Sequence, residues 1–302
     1  MRYTKSYVSF LSKFLEVKNP LMVVFDSSNG STGPVLKELF GQKKNKHKKI
    51  KAIFINSKPD GNFPAHGPNP IARGAKDQLQ RVVMKEKADF GVIFDNDGDR
   101  IFFVDNEGRA QDTDTIFILL SPLFKEPYLV DTALGSVPLR WLRPGLKVNE
   151  TRTGHYFLKK EMRRRETEFA GEQSGHYYFK DFFFADSGIM AAIFAINQIS
   201  KMKFQKLSLS EWVDSLPYVY TGESLNLKTT DSASFITRVK KLYPASKFKI
   251  LRQDGFSFYN DKVWVNIRAS NTEALVRVRL KGTDELSVKR ELARIKSTYK
   301  AE

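Results

Sequence analysis

Cysteine is absent from the 302 residues of the sequence. This excludes disulfide bonds, thiolate metal ligands and a cysteine nucleophile, and it agrees with a reducing compartment, so we expect a cytoplasmic protein. The N-terminal stretch is amphipathic but has neither a continuous apolar core nor a small-residue cleavage site, so it does not resemble a signal peptide. Because no apolar run approaches the roughly 20 residues that span a bilayer, we expect no membrane partner.

Acidic residues are few relative to basic ones, with 34 Asp and Glu against 50 Lys and Arg and a net charge of +16. The densest basic runs are Lys43–Lys51 and Lys159–Glu166. Such a charge is typical either of a nucleic-acid-binding surface or of a lysine-rich solvated surface around a site for an anionic small molecule. No recognition motif such as an RRM or a zinc finger accompanies the charge. We therefore favour the second interpretation and expect no nucleic-acid partner.

The apolar residues form short runs that alternate with helical patterns from Pro20 onward. The first cycle reads as a strand at 21–26, a glycine-rich turn, and a helix at 34–40 with Pro34 in its first position. This alternation predicts an α/β fold of two consecutive α/β domains with mixed sheets. The order then changes to strand, helix, strand, strand, helix, which predicts a smaller C-terminal α+β domain. The predicted domains are 20–120, 121–217 and 218–302, with residues 1–19 outside them.

Three aspartates alternate in the stretch GVIFDNDGDRIFFVD, which runs from Gly91 to Asp105. Alternation brings Asp95, Asp97 and Asp99 to one side of an extended or tightly turned segment, where their repulsion is costly unless a cation neutralises it. Hard oxygen ligands of this kind suit a Mg²⁺ ion that is completed by a phosphate oxygen. The stretch therefore predicts a magnesium site.

Aspartates at this spacing also suit three other interpretations, an EF-hand, an aspartate nucleophile and a polar hairpin turn. An EF-hand is excluded, because its loop needs a glutamate in the twelfth position, where Asn106 stands, and because the flanking segments read as strands. A phosphatase or phosphotransferase with an aspartate nucleophile in a DxD motif is not excluded by the spacing, although three alternating aspartates followed by Arg100 favour a metal site. A polar hairpin turn without a ligand is the simplest alternative.

Two further polar motifs lie beside predicted elements. In GEQSGH, Glu172 and Ser174 are expected on the same side of an extended loop, where they can pair with vicinal hydroxyls, although a glutamate after a strand is often only a helix cap. In TGHYFLKK, His155 and Lys159 stand one helical turn apart and are candidates for phosphate binding or acid–base chemistry. A lone histidine is as often structural, so both interpretations of this motif stay open.

The motif RASNTEALVR, from Arg268 to Arg277, places a guanidinium, two hydroxyls and an amide close together. With backbone N–H groups these can form a nest for a phosphate. The alternative is an ordinary Ser-Asn-Thr turn between two strands.

The order of these motifs, DNDGDR, TGHYFLKK, GEQSGH and RASNTE, resembles the α-D-phosphohexomutase family, the phosphomannomutases and phosphoglucomutases. The stretches DSSNGSTG and DGNFPAHGPNP also resemble the second domain of that family. The resemblance runs from about residue 20 to the C-terminus. It implies phosphoryl transfer between C1 and C6 of mannose or glucose phosphate through a bisphosphorylated intermediate, with one Mg²⁺ ion as the cofactor.

The resemblance also assigns roles to individual residues. The implied metal ligands are Asp95, Asp97 and Asp99. The implied catalytic residues are Arg100, which would stand beside the transferring phosphoryl group, His155 and Lys159. The implied substrate-binding residues are Glu172, Ser174, His176, Arg268, Ser270, Asn271, Thr272 and Arg277. Of these, the GEQSGH residues would hold sugar hydroxyls in two opposite orientations of the sugar, and the RASNTE residues would bind the phosphate that does not react.

The sequence departs from the family in a respect that bears on activity. Family members have four domains, and the first carries a phosphorylated serine in a loop like T-A-S-H-N-P. This sequence has no such loop, and it offers only two near-imitations, SSNGSTG at the first strand–helix turn and HGPNP, which has no serine. Residues 1–19 would then be the remnant helix of a missing first domain. Because the phosphoserine is both phosphoryl donor and metal ligand, turnover would need this domain from a separate chain or a longer form. A smaller departure is Ala274, where the family often has proline.

Three hypotheses about function follow from these observations. The first is a mutase that works only with the missing domain supplied by another chain or by a longer form. The second is a non-catalytic sugar-phosphate binding or regulatory protein on the same scaffold. The third is a divergent hydrolase in which water replaces the serine. The pattern GE-x-SGH favours a hexose phosphate over glucosamine phosphate, and the choice between glucose and mannose stays open.

Overall fold

The structure, a computed structural model, describes residues 2–41, 49–270 and 273–300, with the side chains of Arg2 and Lys300 excepted. The chain divides into two compact units. The first comprises Met1–Glu126 and Met162–Ser215, and the second comprises Pro127–Glu161 and Leu216–Glu302. Within the described ranges, none of the helices is both long enough and apolar enough to cross a bilayer.

The helices and strands alternate along most of the chain. The helices are α1 Arg2–Leu11, α2 Thr32–Phe40, α3 Asp77–Glu86, α4 Thr113–Leu120, α5 Ser136–Leu142, α6 His155–Arg165, α7 Gly188–Phe204, α8 Leu209–Asp214, α9 Ser232–Lys241 and α10 Glu285–Lys300. Single 3₁₀ turns span Ser12–Phe14, Ser121–Leu123 and Lys180–Phe182. The strands are β1 Leu21–Asp26, β2 Ile50–Ile55, β3 Phe90–Phe94, β4 Ile101–Asp105, β5 Ala110–Gln111, β6 Tyr128–Asp131, β7 Val148–Thr151, β8 Phe169–Gly171, β9 Tyr177–Phe179, β10 Ala185–Asp186, β11 Tyr220–Thr221, β12 Leu225–Lys228, β13 Lys249–Leu251, β14 Phe256–Tyr259, β15 Val263–Ala269 and β16 Leu275–Gly282.

The first unit contains a five-stranded mixed sheet in the order β2-β1-β3-β4-β5. β1 pairs in parallel with β2 and β3, whereas β3, β4 and β5 pair antiparallel. β1 and β3 are buried almost throughout, as their unbroken apolar sequences predict. Leu79 and Val83 of α3 pack into a core with Val24, Ile93 and Val104 of the strands. The carboxyl ends of β1 and β3 meet at one edge of this sheet, where polar loops follow them.

The first unit also contains the antiparallel strands β8, β9 and β10. They lead into α7, whose N-cap Ser187 accepts a hydrogen bond from the N–H of Met190 at 3.2 Å. α7 is apolar over most of its length and is buried, which its sequence GIMAAIFAI predicts.

In the second unit, β6 and β7 pair in parallel, and the C-terminal strands form a six-stranded antiparallel sheet. The order is β11-β16-β15-β14-β13, and β12 also pairs with β16. Phe235 of α9 and Val288 of α10 pack on one face of this sheet, against Val265 of β15 and Val278 of β16. Because side chains alternate along a strand, the polar residues of β15 and β16 project from the other face.

The prediction for the start of α2 was wrong. The helix begins at Thr32, so Pro34 is its third residue rather than its first. The first N–H groups of a helix have no partner within it, so proline is tolerated at this position as well. Thr32 and Gly33, the first two residues of the helix, are both buried. Gly33 is so close to Ser57 that an added Cβ would lie 2.1 Å from its carbonyl oxygen.

Five short strands were not predicted, namely β5, β7, β9, β10 and β13. Each has four residues or fewer, too few to show a period of two. The predicted fold class of consecutive α/β domains with mixed sheets and a C-terminal α+β domain is confirmed. The predicted domain boundaries stay predictions.

Candidate active site

The DNDGDR loop follows β3 and turns back into β4. Gly98 adopts a φ of +80°, and its N–H donates to Oδ1 of Asp95 at 3.1 Å. Nε of Arg100 donates to Oδ2 of Asp95 at 2.6 Å. Asp95, Asp97 and Asp99 each present a carboxylate oxygen, and these oxygens all lie within 4.8 Å of one another. The structure thus brings the three candidate metal ligands together beside Arg100.

The turn between β1 and α2 supports this loop. Oγ of Ser28 donates to the carbonyl of Phe94 at 2.5 Å, and the N–H of Ser31 donates to the carbonyl of Asn96 at 2.8 Å. Gly30 is so close that an added Cβ would lie 2.3 Å from the carbonyl oxygen of Asn96. A side chain at this position would therefore displace the loop. The sequence showed a glycine-rich turn but not this contact, because the two segments are far apart along the chain.

A buried polar cluster lies at the carboxyl end of β1. Asp26 is fully buried, and its carboxylate accepts hydrogen bonds from the N–H of Ser28 at 2.9 Å and from Nδ2 of Asn56 at 3.0 Å. Nε2 of His66 lies 3.1 Å from Oδ2 of Asp26. This hydrogen bond raises the pKa of His66 above its ordinary value, against the opposing effect of burial. The sequence alone did not indicate this cluster, although His66 lies in the stretch DGNFPAHGPNP.

The carboxylates of the DNDGDR loop repel one another. Burial raises the pKa of Asp95, and the Asp99 carboxylate adds to this effect, while Arg100 opposes it. A hydrogen bond with His176 lowers the pKa of Asp99. Oδ1 of Asp99 is buried and has no hydrogen-bond partner in the described part of the chain. A divalent cation would neutralise the cluster and engage this oxygen, so the donor set fits Mg²⁺.

The GEQSGH motif forms a tight turn, and the prediction of an extended loop was wrong. The N–H of Gly175 donates to the carbonyl of Glu172 at 3.1 Å, and Gly175 reverses the chain with a φ of +90°. An antiparallel backbone bridge joins His176 to Arg100. The N–H of Ile101 also donates to the carbonyl of Gly175 at 3.1 Å. The turn is therefore bonded directly to the end of the DNDGDR loop.

His176 links the candidate sugar-binding residues to the DNDGDR loop. Its Nε2 lies 3.3 Å from Oδ2 of Asp99, and its Nδ1 lies 2.7 Å from Oγ of Ser174 and 3.2 Å from Oε2 of Glu172. Burial alone would lower the pKa of His176, but the hydrogen bonds with Asp99 and Glu172 outweigh it and raise the pKa to about 9. At neutral pH the imidazole is therefore a cation between two carboxylates.

Two further residues of this site were not predicted from the sequence. The hydroxyl of Tyr178 donates to Oε2 of Glu172 at 2.7 Å, and Oδ2 of Asp186 lies 4.0 Å from Nε2 of His176. Both residues lie on strands that were not predicted, β9 and β10. Without those strands, no sequence pattern places either residue beside the GEQSGH turn.

In the second unit, two carboxylates hold the TGH turn that precedes α6. Oγ1 of Thr153 donates to Oδ2 of Asp131 at 2.9 Å, and its N–H donates to Oδ2 of Asp254 at 3.2 Å. α6 begins at His155, so Lys159 lies one turn further along the helix, as predicted. Asp131 and Asp254 were missed. The one available signal was a charged residue at the end of the apolar strand PYLVD.

The RASNTE motif lies at the junction of β15 and β16. Arg268 is buried, and its Nε lies 3.9 Å from Oδ2 of Asp254. The strand register places Arg277 opposite Arg268. The N–H of Ser270 donates to the carbonyl of Leu275 at 2.8 Å, which closes the turn. The two candidates of this motif that lie outside the described residues are Asn271 and Thr272.

Three family models match consecutive parts of the chain. The model described as phosphoglucomutase/phosphomannomutase, alpha/beta/alpha domain II, matches residues 2–108. The model for alpha/beta/alpha domain III of the same family matches residues 139–220, and the model for its C-terminal domain matches residues 225–297. Together they account for most of the sequence.

The sequence is similar to a phosphomannomutase of Methanocaldococcus jannaschii, with 33% identity over 305 residues that cover 97% of this chain and 64% of that protein. The chain thus spans less than two thirds of the length of this curated relative. Its structure is similar to that of a phosphoglucomutase/phosphomannomutase family protein from Burkholderia thailandensis, with a TM-score of 0.81, 25% identity, and coverage of 99% of this chain and 64% of that chain.

A third similar protein is an N-acetylphosphoglucosamine mutase of Aspergillus fumigatus, whose structure was determined in complex with GlcNAc-6P and magnesium. At 14% identity and a TM-score of 0.66, over 98% of this chain and 69% of that chain, it shares the fold. The matched domains, their order and the identity to the archaeal relative lead to one conclusion. This chain belongs to the phosphoglucomutase/phosphomannomutase family.

Proposed function

We propose that this chain binds one Mg²⁺ ion and a hexose phosphate, and that it takes part in phosphoryl transfer between C1 and C6 of mannose or glucose phosphate. The observation that carries this proposal is the cluster of Asp95, Asp97 and Asp99 carboxylates within 4.8 Å of one another, bonded through His176 to the GEQSGH turn. Two curated relatives are phosphomannomutases, and one structural neighbour was determined with GlcNAc-6P and magnesium.

In this proposal Asp95, Asp97 and Asp99 hold the Mg²⁺ ion. When bound, the ion supplies positive charge beside the phosphoryl oxygens. Arg100 donates hydrogen bonds to the same phosphoryl group. Its orientation is fixed by the 2.6 Å hydrogen bond from Nε to Asp95, which reduces the entropy lost when the guanidinium binds the ligand.

Glu172 and Ser174 bind hydroxyl groups of the sugar. Glu172 is itself oriented by the 2.7 Å hydrogen bond from Tyr178, and Ser174 is oriented by its 2.7 Å contact with His176. The pKa of His176, raised to about 9, keeps a positive charge next to both groups at neutral pH. The Glu172 carboxylate accepts hydrogen bonds from sugar hydroxyls, and the Ser174 hydroxyl can donate to them or accept from them. The pair can therefore bind two vicinal hydroxyls in either orientation of the sugar.

The second unit binds the phosphate that does not react. Arg268 is the central cation, and Asp254 holds it in place from a distance of 3.9 Å. His155 and Lys159 supply acid–base or phosphate-binding groups from the start of α6. The other residues proposed for this phosphate are Ser270, Asn271, Thr272 and Arg277.

The phosphoryl donor in the proposal is a serine outside these 302 residues, supplied either by a separate chain or by a longer form of this one. No loop like T-A-S-H-N-P occurs in the 302 residues, and the reaction that the family resemblance implies needs a phosphoserine. The chain alone is therefore expected to bind its ligands without interconverting them.

Calorimetric titration of the chain tests the binding. We expect Mg²⁺ to bind, and Asp95→Asn to weaken this binding by at least about tenfold, because a neutral amide replaces a charged ligand. Asp261→Asn, which changes an exposed aspartate, is the matched control and should leave Mg²⁺ affinity unchanged. Equal Mg²⁺ affinity in the two variants would contradict the metal site. Failure of both mannose 6-phosphate and glucose 6-phosphate to bind in the presence of Mg²⁺ would contradict the proposed function.

Turnover is tested with glucose 1-phosphate, Mg²⁺ and a trace of glucose 1,6-bisphosphate. The proposal expects no isomer from the chain alone and isomer formation after addition of a serine-bearing first domain from a relative. Isomer formation by these 302 residues alone contradicts a donor that lies outside them. Release of inorganic phosphate supports a hydrolase instead, and binding without turnover under every condition supports a non-catalytic protein.

A further inference from the structure

Arg279 was not among the predicted site residues, yet it shares a face of the C-terminal sheet with two that were. The register of β15 and β16 places Arg277 opposite Arg268, and Arg279 opposite Asn266. Residues two apart on a strand point to the same face, and opposed residues have Cβ atoms about 5 Å apart. Val278, between the two arginines of β16, points into the core on the other side. Three guanidinium groups therefore project from one polar face.

The Arg279 guanidinium is half-buried and poorly compensated. Within residues 2–41, 49–270 and 273–300, no hydrogen bond or ion pair joins it to another residue. Burial lowers the pKa of Arg279, as do Arg277 and Arg268, while Asp131 acts in the opposite direction. The group still carries its charge at neutral pH. A cation in such surroundings is costly unless an anion approaches it.

Asp131, the acidic group that acts on Arg279, already has other partners. One of its carboxylate oxygens accepts the N–H of Leu134 at 2.9 Å, and the other accepts the hydroxyl of Thr153 at 2.9 Å. These bonds hold the Asp131 carboxylate against the TGH turn and the N–H of Leu134. Asp131 therefore contributes a distant negative charge to Arg279 but no hydrogen bond.

Two further acidic groups near this face pair with the other two arginines. Asp254 lies 3.9 Å from Arg268, and Glu273 lies 3.1 Å from Arg277. The carboxylate of Glu273 is largely exposed, so water weakens its attraction for Arg277. The face as a whole thus presents more positive charge than its own carboxylates neutralise, and Arg279 is the arginine that none of them contacts.

We propose that Arg279 is a specificity-determining residue of the phosphate site. Together with Arg268 it binds the dianionic phosphate of a hexose phosphate, and its charge favours this ligand over a singly charged sulfate ester. The inference rests on the proposed function, because Arg268 has to bind the non-reacting phosphate for Arg279 to take part. A guanidinium offers parallel donors to phosphate oxygens, and an added cation attracts a dianion about twice as strongly as a monoanion.

The test is calorimetric titration of the full chain with glucose 6-phosphate and with glucose 6-sulfate at pH 8, where the phosphate is a dianion because its second pKa is about 6. We expect Arg279→Gln to weaken phosphate binding about tenfold and sulfate binding less than about threefold, so that the selectivity falls. Arg290→Gln, an exposed arginine of α10, is the control and should behave as the wild type. The midpoint of thermal unfolding should be close to that of the wild type in both variants.

Two results overturn the inference and are distinguishable. If Arg279→Gln keeps the wild-type selectivity while Arg268→Gln loses phosphate binding, the role of Arg279 is wrong and the proposed function stands. If the wild-type chain binds neither ligand, the proposed function fails and this inference with it. If Arg279→Gln does not fold, Arg279→Met decides the matter, because methionine removes the charge but keeps an unbranched stem. We expect selectivity to fall by at least about threefold in this variant, and wild-type selectivity would overturn the proposal.

Discussion

At the scale of single residues, two buried pairs of histidine and carboxylate determine the local charge of the first unit. His176 lies between Glu172 and Asp99, and His66 lies against Asp26. In both pairs the hydrogen bonds raise the pKa of the histidine although burial opposes the charge. The charged imidazole of His176 therefore stabilises the two carboxylates beside it, and protonation of His66 stabilises the buried carboxylate of Asp26.

The pair of His66 and Asp26 gives a dependence of stability on pH. Because the pKa of His66 is higher in the folded than in the unfolded protein, its stabilising contribution is fully present below about pH 6.5 and is lost as the pH rises through the folded value. We expect His66→Gln to lower the free energy of unfolding by about 1–2 kcal/mol at pH 5.5, as for a hydrogen bond to a charged group, and by less at pH 8.5. Urea unfolding of both proteins at the two pH values measures this difference.

The control for this prediction is Lys85→Gln, which changes an exposed lysine of α3. Its effect on the free energy of unfolding should be about the same at pH 5.5 and at pH 8.5. A loss of stability in His66→Gln that is larger at pH 8.5 than at pH 5.5 would show that the imidazole acts in its neutral form.

Single residues of the site could be predicted where they are close together in the sequence. Asp95, Asp97 and Asp99 are such a case, since six consecutive residues contain the whole carboxylate cluster. Asp131 and Asp254 are not, because their contacts with the TGH turn depend on how distant strands and loops pack. Local chemistry is visible in the sequence, whereas tertiary hydrogen bonds are not.

At the scale of elements, the position of the DNDGDR loop depends on the turn between β1 and α2. Ser28 and Ser31 donate hydrogen bonds to backbone carbonyls at the two ends of the contact, and Gly30 allows the two backbones to approach closely. The candidate metal site is therefore built from two loops at the carboxyl ends of adjacent parallel strands. This arrangement is common for ligand sites of α/β proteins.

Gly30→Ala tests this dependence. The added Cβ would lie 2.3 Å from the carbonyl oxygen and 2.7 Å from Cα of Asn96, so one of the two loops has to move. We expect a loss of about 1–3 kcal/mol in the free energy of unfolding, together with weaker Mg²⁺ binding. Gly61→Ala is the matched control, since nothing lies within 4 Å of its added Cβ, and its effect should stay within about 0.5 kcal/mol. Equal Mg²⁺ affinity and equal stability in the two variants would contradict the dependence of the DNDGDR loop on the turn between β1 and α2.

The elements that could be predicted are those with a sustained pattern. The alternation of VWVNIRA and LVRVRLKG predicts two-faced strands, and β15 and β16 have a core face and a polar face as expected. The GEQSGH segment could not be predicted correctly, because its reversal at Gly175 depends on a φ of +90° and on pairing with Ile101. Strands of two or three residues exist only because a neighbouring strand offers hydrogen bonds.

At the scale of the whole molecule, two kinds of positive charge contribute to the net +16. Lysines such as Lys85 and Lys87 are exposed to solvent, where dissolved salt screens them. Arg268 is 7% exposed and belongs to a fixed network in the second unit. The sequence shows only the sum of these charges, and the structure separates a diffuse surface charge from a buried, localised one.

This separation predicts different responses to salt for two kinds of ligand. A random-sequence DNA duplex should bind weakly at 50 mM salt and lose at least about a thousandfold in affinity by 200 mM, because its binding depends on released counterions. Glucose 6-phosphate should lose less than about tenfold over the same range, since the buried Arg268 is screened less. Fluorescence anisotropy of the labelled duplex and calorimetry of the sugar phosphate measure the two responses. If DNA binding persisted at 200 mM salt, the interpretation of the net charge as a solvated lysine surface would be wrong, because surface lysines alone do not give salt-resistant affinity. Nucleic acid would then be a candidate partner.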